Sequence, residues 1–228
     1  MQLLPRPLRW PPIFPSEKNL FLWLPFNDRS GGKLLDRSGN NIYGDVYGAT
    51  RTPDALSFDG SNDYVYTPDF GDTNTAPAKF NNDYTFMCWV KSSETRTEKN
   101  ILAFATGSSW GDALCIDVGD VVWYCDIYND ITWLIGVTDI KDGKWHHLCG
   151  TRVRGGRVTL YIDGIFDVDD ADPDGDHSNG YTHFSVGGDH LAHHCIEGEI
   201  RDCRVLLRAL TAQEIKRHVE SELLAARH

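Results

Sequence analysis

The sequence predicts an all-β protein: two antiparallel sheets packed face to face, with one short helix at the C-terminal end. Three observations predict it. Residues 83–91 (DYTFMCWVK) alternate, with Tyr84, Phe86, Cys88 and Val90 on one side and Thr85, Met87, Trp89 and Lys91 on the other. Period-two alternation of aromatic and β-branched residues marks a strand, and bulk on both sides marks one covered on both faces. Short runs of the same kind recur along the chain between turn residues, in keeping with 21 glycines and 10 prolines among 228 residues. Only the last stretch changes to a helical period.

The elements follow in order around that central strand. Residues 1–18 form a Pro-rich arm, since proline cannot sit in a central strand. Residues 19–26 (NLFLWLPF) read as the first strand, and 36–41 (DRSGNN) as a turn. Residues 45–47, 55–58 and 64–67 read as strands, the last two joined by the polar turn 59–63. After the loop 68–82 and the central strand come strands at 101–105, 113–118, 121–128 and 131–137. Residues 144–153 and 157–162 form a hairpin around Gly155-Gly156; 182–186 and 198–207 close the strand set. Thr211-Ala212-Gln213-Glu214 is a capping box, in which the Thr hydroxyl and the Glu carboxylate satisfy two orphan amides. Ile215, Val219 and Leu223 then recur at helical spacing, so a helix is predicted over 212–225. With neither repeat nor long linker, the organisation is an arm (1–18), one β domain (19–210) and a C-terminal amphipathic segment (211–228) packed on it.

Composition narrows the partners. A net charge of −11 argues against a phosphate-tracking nucleic-acid surface and against an anionic membrane surface. No run approaches the length of a membrane span, and the proline-broken N-terminus is no signal peptide. An extracellular or virion setting is favoured over the cytoplasm. The six cysteines (88, 115, 125, 149, 195 and 203) include no Cys-x-x-Cys pair. A turn at Gly119-Asp120 would put Cys115 and Cys125 on opposite faces, whereas a three-residue turn at 119–121 would set them directly opposite.

Several stretches in sequence order resemble the laminin-G-like, concanavalin A-like superfamily. They are Leu22–Asn27, Asp36–Asn40, Ala55–Val65, the central strand, Lys144–Leu148, Val158–Gly164, and Gly198–Asp202 running to Arg208–Thr211. The resemblance implies a two-sheet antiparallel jelly-roll sandwich over about residues 19–217. The pentraxin branch is also similar, and it implies a disulfide between Cys88 and Cys149, worth about 4 kcal/mol in the chain-entropy model.

The superfamily also includes glucanases, whose resemblance implies closely spaced acids on one strand. Two carboxylates must flank the scissile bond. Glu197 and Glu199 alternate, but the next position on that face is Arg201, so no such run is found. The acidic stretch Asp170, Asp172, Asp174, Gly175 and Asp176 matches the first half of a calcium loop, with Tyr181 at the twelfth position where Glu is needed. The alternative is a solvated acidic turn. A second candidate is Asp189, His190 and His193, in the loop where pentraxins hold calcium; imidazoles there suit zinc, copper or nickel. A polar loop with surface histidines is the simpler reading, and His146-His147 reads as structural. For ligand binding the candidates are Trp110 and Asp112, placed in a loop, and Tyr128 and Trp133, flanking the Asn129-Asp130 turn. Trp23, Trp89, Trp123 and Trp145 read as core.

The functional expectation is a non-catalytic, lectin-like recognition or adhesion module that binds glycan or a protein surface, with calcium as the possible cofactor. Two alternatives stand beside it: a structural subunit of a virus particle that oligomerises through its Pro-rich arm, and a divergent glycoside hydrolase.

Overall fold

The structure is a computed structural model that describes residues 19–28, 31–68, 82–106, 109–117, 120–127, 130–172, 182–189 and 191–225. The Pro-rich arm lies outside the described residues, as do Tyr128, Asp174, Asp176 and His190.

Sixteen strands are described, in two eight-stranded antiparallel sheets. One sheet, A, runs β14 (Ile165–Ala171), β13 (Arg157–Ile162), β12 (Trp145–Arg152), β7 (Tyr84–Lys91), β16 (Glu197–Leu206), β5 (Leu56–Asp59), β4 (Thr50–Arg51), with β1 (Leu20–Leu24) also paired to β16. The other, B, runs β11 (Asp130–Ile135), β10 (Asp120–Ile127), β9 (Ser109–Asp117), β8 (Lys99–Thr106), β15 (His183–Val186), β6 (Tyr64–Tyr66), β3 (Gly44–Tyr47), β2 (Lys33–Leu34). The central strand is β7, between β12 and β16. Every residue from Tyr84 to Val90 is buried, as bulk on both faces predicts.

Alternation sorts those residues into two cores. Tyr84, Phe86, Cys88 and Val90 point between the sheets and pack with residues such as Phe58, Phe104, Phe184 and Val205. Met87 points to the outer side of sheet A, where Leu20, Cys149, Leu206, Leu210 and Ile215 cover it. Ile215 belongs to helix α1 (Ala212–Ala225), whose capping box is formed as expected. The Thr211 amide and hydroxyl donate to the Glu214 carboxylate at 2.8 and 2.9 Å, and the Glu214 amide donates to the Thr211 hydroxyl at 3.3 Å.

Four expectations are corrected. Cys88 and Cys149 do not form a disulfide; both are free. Cys88 lies opposite Leu148 and Cys149 opposite Met87, so the one-residue offset sends the two thiols to opposite faces of sheet A. Asp117 pairs with Asp120, which sets Cys115 against Val122 and Cys125 against Thr132; neither expected register occurs. The buried face of α1 carries Ile215, His218, Val219 and Glu222, while Leu223 is 46% exposed. Asp170, expected in an acidic calcium loop or turn, instead lies on strand β14. That strand pairs with β13 along its length, with Asp169 ion-paired to Arg157.

Candidate functional site

Among the described residues, the sequence-predicted ones do not gather in one place. Trp110 is not in a loop: it lies on β9, opposite Ala105, and Asp112 is on the same strand. Asp170 lies on β14 opposite Val158, and its carboxylate accepts from the Ala171 amide. Asp172 is buried against Arg152, which donates through Nε at 2.8 Å and Nη2 at 3.0 Å, while the Gly155 amide donates at 2.7 Å. Asp189 is nearly buried and organises its own loop, accepting from the amides of Leu191 and His193 at 2.9 and 2.8 Å. The His194 ring lies 3.1 Å and the His193 ring 3.9 Å from its other oxygen.

Trp133 is the predicted ligand-binding residue whose side chain is described at the surface; it is 48% exposed. It lies on β11, the edge of sheet B, and alternation places Ile135 (52% exposed) on the same outer face. Beyond the strand end Val137 is also exposed. Edge strand β14 of sheet A stands beside it and exposes Ile165 and Phe166. Asp167 ties the two edges together, accepting from the Val137 amide at 2.8 Å and from the Thr138 hydroxyl. Exposed apolar residues, an indole among them, thus mark both edge strands on the flank where Asp167 joins the two sheets.

A second constellation lies under α1, on the outer side of sheet A. Strand β16 slips register against β7 between Arg201 and Arg204, and Asp202 takes φ +52° there. A bulge re-aims side chains, and this one directs Asp202 with Arg204 to the helix side. Arg204 donates to Asp202 at 2.7 Å and to Glu222 at 2.9 Å. The Trp23 indole donates to Asp202 at 2.7 Å, and the Trp89 indole donates to Glu222. His218 sits 3.3 Å from Glu222, one helical turn away on the same face. His147, opposite Trp89 in the sheet, meets the His218 ring edge-on at 5.2 Å.

Apart from the partly buried Trp23, these groups are all buried. Burial holds the His147 imidazole neutral, pushing its pKa down to about 3, and lowers that of His218 likewise. Burial first, then the negative charge of Asp202, raises that of Glu222, against the pull of Arg204. Ligand atoms of Asp202, His218 and Glu222 all lie within 4.8 Å of one another, so this group can coordinate a metal ion. Asp202 and Glu222 form a close acid pair, but one sealed from any polysaccharide. Sequence reading missed this constellation, although Arg201, Asp202 and Arg204 inside an otherwise apolar strand were its visible signal.

The fold and its exposed flank define a lectin-type β-sandwich. The chain belongs to the concanavalin A-like lectin/glucanases superfamily, whose family model matches residues 59–216. The fold also matches receptor-binding domains of botulinum neurotoxins. That of the C/D mosaic serotype has a TM-score of 0.72 at 20% identity, and 90% of this chain covers 52% of that one. The binding domain of botulinum neurotoxin DC matches in complex with SialylT (TM-score 0.71, 16% identity) and in complex with rat synaptotagmin II (0.69, 16%), with the same 90% and 52% coverage. The chain thus spans about half the length of these structures. Comparison with curated protein sequences finds no match. Among the described residues no helix is long and apolar enough to cross a membrane.

Proposed function

We propose that this chain is a non-catalytic recognition module that binds glycan or a protein surface through the flank formed by β11 and β14. The observation that carries the proposal is that both edge strands expose large apolar residues, Trp133 and Ile135 on β11 and Ile165 and Phe166 on β14, where Asp167 joins the two edges. Contiguous exposed apolar surface marks interaction sites, and a flat indole beside hydrogen-bonding groups suits the apolar face of a sugar as well as a protein anchor. Binding domains of the same fold hold partners of both kinds, which supports the reading. An extracellular setting fits it, and the virion-subunit alternative gains nothing from these comparisons. Calcium at Asp170–Asp176 has no part in the proposal, because Arg152 already neutralises Asp172.

The test is a glycan array read alongside Trp133→Ala and Phe166→Ser. Bound glycans that both variants lose, with unchanged circular dichroism, support the flank as the site. Glycan binding that survives both substitutions sinks it. If no glycan binds, the same variants are read against a protein receptor.

A further inference from the structure

We propose that His147, Asp202, His218 and Glu222 form a buried site for a divalent transition-metal ion of the zinc class, which clamps α1 onto sheet A. The ligands come from three elements: His147 from β12, Asp202 from the β16 bulge, and His218 and Glu222 from successive turns of α1. Three of them already bring ligand atoms within 4.8 Å of one another.

His147 lies outside that group of mutually close ligand atoms, and an independent observation proposes it as the fourth. His147 is 0% exposed, and neither of its ring nitrogens has a hydrogen-bond partner among the described residues. A buried polar atom without a partner keeps its full desolvation penalty, so such groups call for an explanation. The His147 ring packs edge-on against those of Trp89 (5.3 Å) and His218 (5.2 Å), next to the three-residue group. A metal ion bridging His147 to the other three would satisfy it.

The donor chemistry selects the ion. Two imidazoles and two carboxylates make a four-ligand nitrogen–oxygen set, which suits zinc. Calcium takes six to eight oxygens and is poorly served here. The carboxylates are held from behind, Asp202 by Trp23 and Arg204, Glu222 by Trp89 and Arg204. Donors of that kind orient metal-binding carboxylates.

The experiment uses the full chain, stripped with a chelator and titrated with zinc and then cobalt. Expected are one tightly held zinc per chain, a higher melting temperature, and intense visible cobalt bands of a four-coordinate nitrogen–oxygen site. His218→Gln and His147→Asn should each weaken zinc at least about 100-fold, while His193→Gln/His194→Gln leaves it unchanged. Should the buried variants fail to fold, the wild-type cobalt spectrum decides: weak six-coordinate bands, or no stoichiometric ion, overturn the proposal. Loss of the ion in the surface double variant also overturns it. None of these readouts involves glycan or receptor binding, so the outcome is separate from that of the proposed function.

Discussion

Asp172→Asn removes one charge from a pair with no route to water. Arg152 and Asp172 both have side chains at 0% exposure, held by two parallel contacts of 2.8 and 3.0 Å. Breaking a buried pair by neutralising one partner costs about 3–5 kcal/mol, because the other charge stays buried. Asparagine keeps the size and one acceptor for the Gly155 amide, so the lower end applies, about 3 kcal/mol. In a domain of this size that lowers the melting temperature by roughly 6–12 °C. Urea unfolding followed by circular dichroism measures the loss. The double variant Arg152→Met/Asp172→Leu should recover most of it, since a packed apolar pair needs no compensating charge. A loss below about 1 kcal/mol for Asp172→Asn would refute the argument and mean that Arg152 does not depend on Asp172 for its compensation. Calcium should leave the wild-type midpoint unchanged; a rise abolished by Asp172→Asn would return the acidic stretch to the list of ion sites.

Gly187→Ala should destabilise by roughly 3 kcal/mol, combining backbone strain with overpacking. Its φ is +78°, and a Cβ would lie 2.3 Å from the Phe58 ring. Thr211→Ala should cost about 1 kcal/mol in urea unfolding by removing the cap of α1. The hydrogen bond from Arg208, opposed by burial, lowers the Glu214 pKa from 4.5 to about 2. A depressed folded pKa gives stabilisation that is full above about pH 4.5 and lost as pH falls through about 2. Glu214→Gln should therefore flatten acid unfolding in that window. Alkylation of the denatured, unreduced chain should label Cys88 and Cys149 alike, and a reductant should leave the melting temperature unchanged; a mass consistent with a crosslink would contradict the register described for β7 and β12.

What was legible in the sequence was local. The central strand announced itself because its alternation is unbroken, and α1 because a capping box precedes a helical period; its predicted bounds of 212–225 match those observed. The buried face of that helix was harder to read. Leu223 and Glu222 are neighbours in sequence, and hydrophobicity favours Leu223 for the core. The structure buries Glu222, because Arg204 and Trp89 wait for it on the sheet. Those partners depend on a one-residue bulge at Asp202, which shifts which residues face the helix and leaves no mark in a period-two pattern. The Cys88–Cys149 pairing failed for a related reason: it was carried over from relatives, while a single step of register decides whether two thiols share a face. The exposure of Trp133 was legible because a tryptophan next to a turn has few ways to be covered.

Strand β16 pairs with β1, β5 and β7 at once, and it is the last strand described. Its three neighbours each leave the ribosome more than a hundred residues ahead of it and wait for the same late segment. Loop closure over such distances makes folding slow, and until it happens the apolar edges of β5 and β7 are open to wrong partners. The order of synthesis is thus the reverse of the order of completion. A nonsense or frameshift change ahead of residue 197 would yield an aggregation-prone set of strands in place of a smaller working domain, and recombinant yield should depend more on chaperone supply and temperature than on the stability of the finished sandwich.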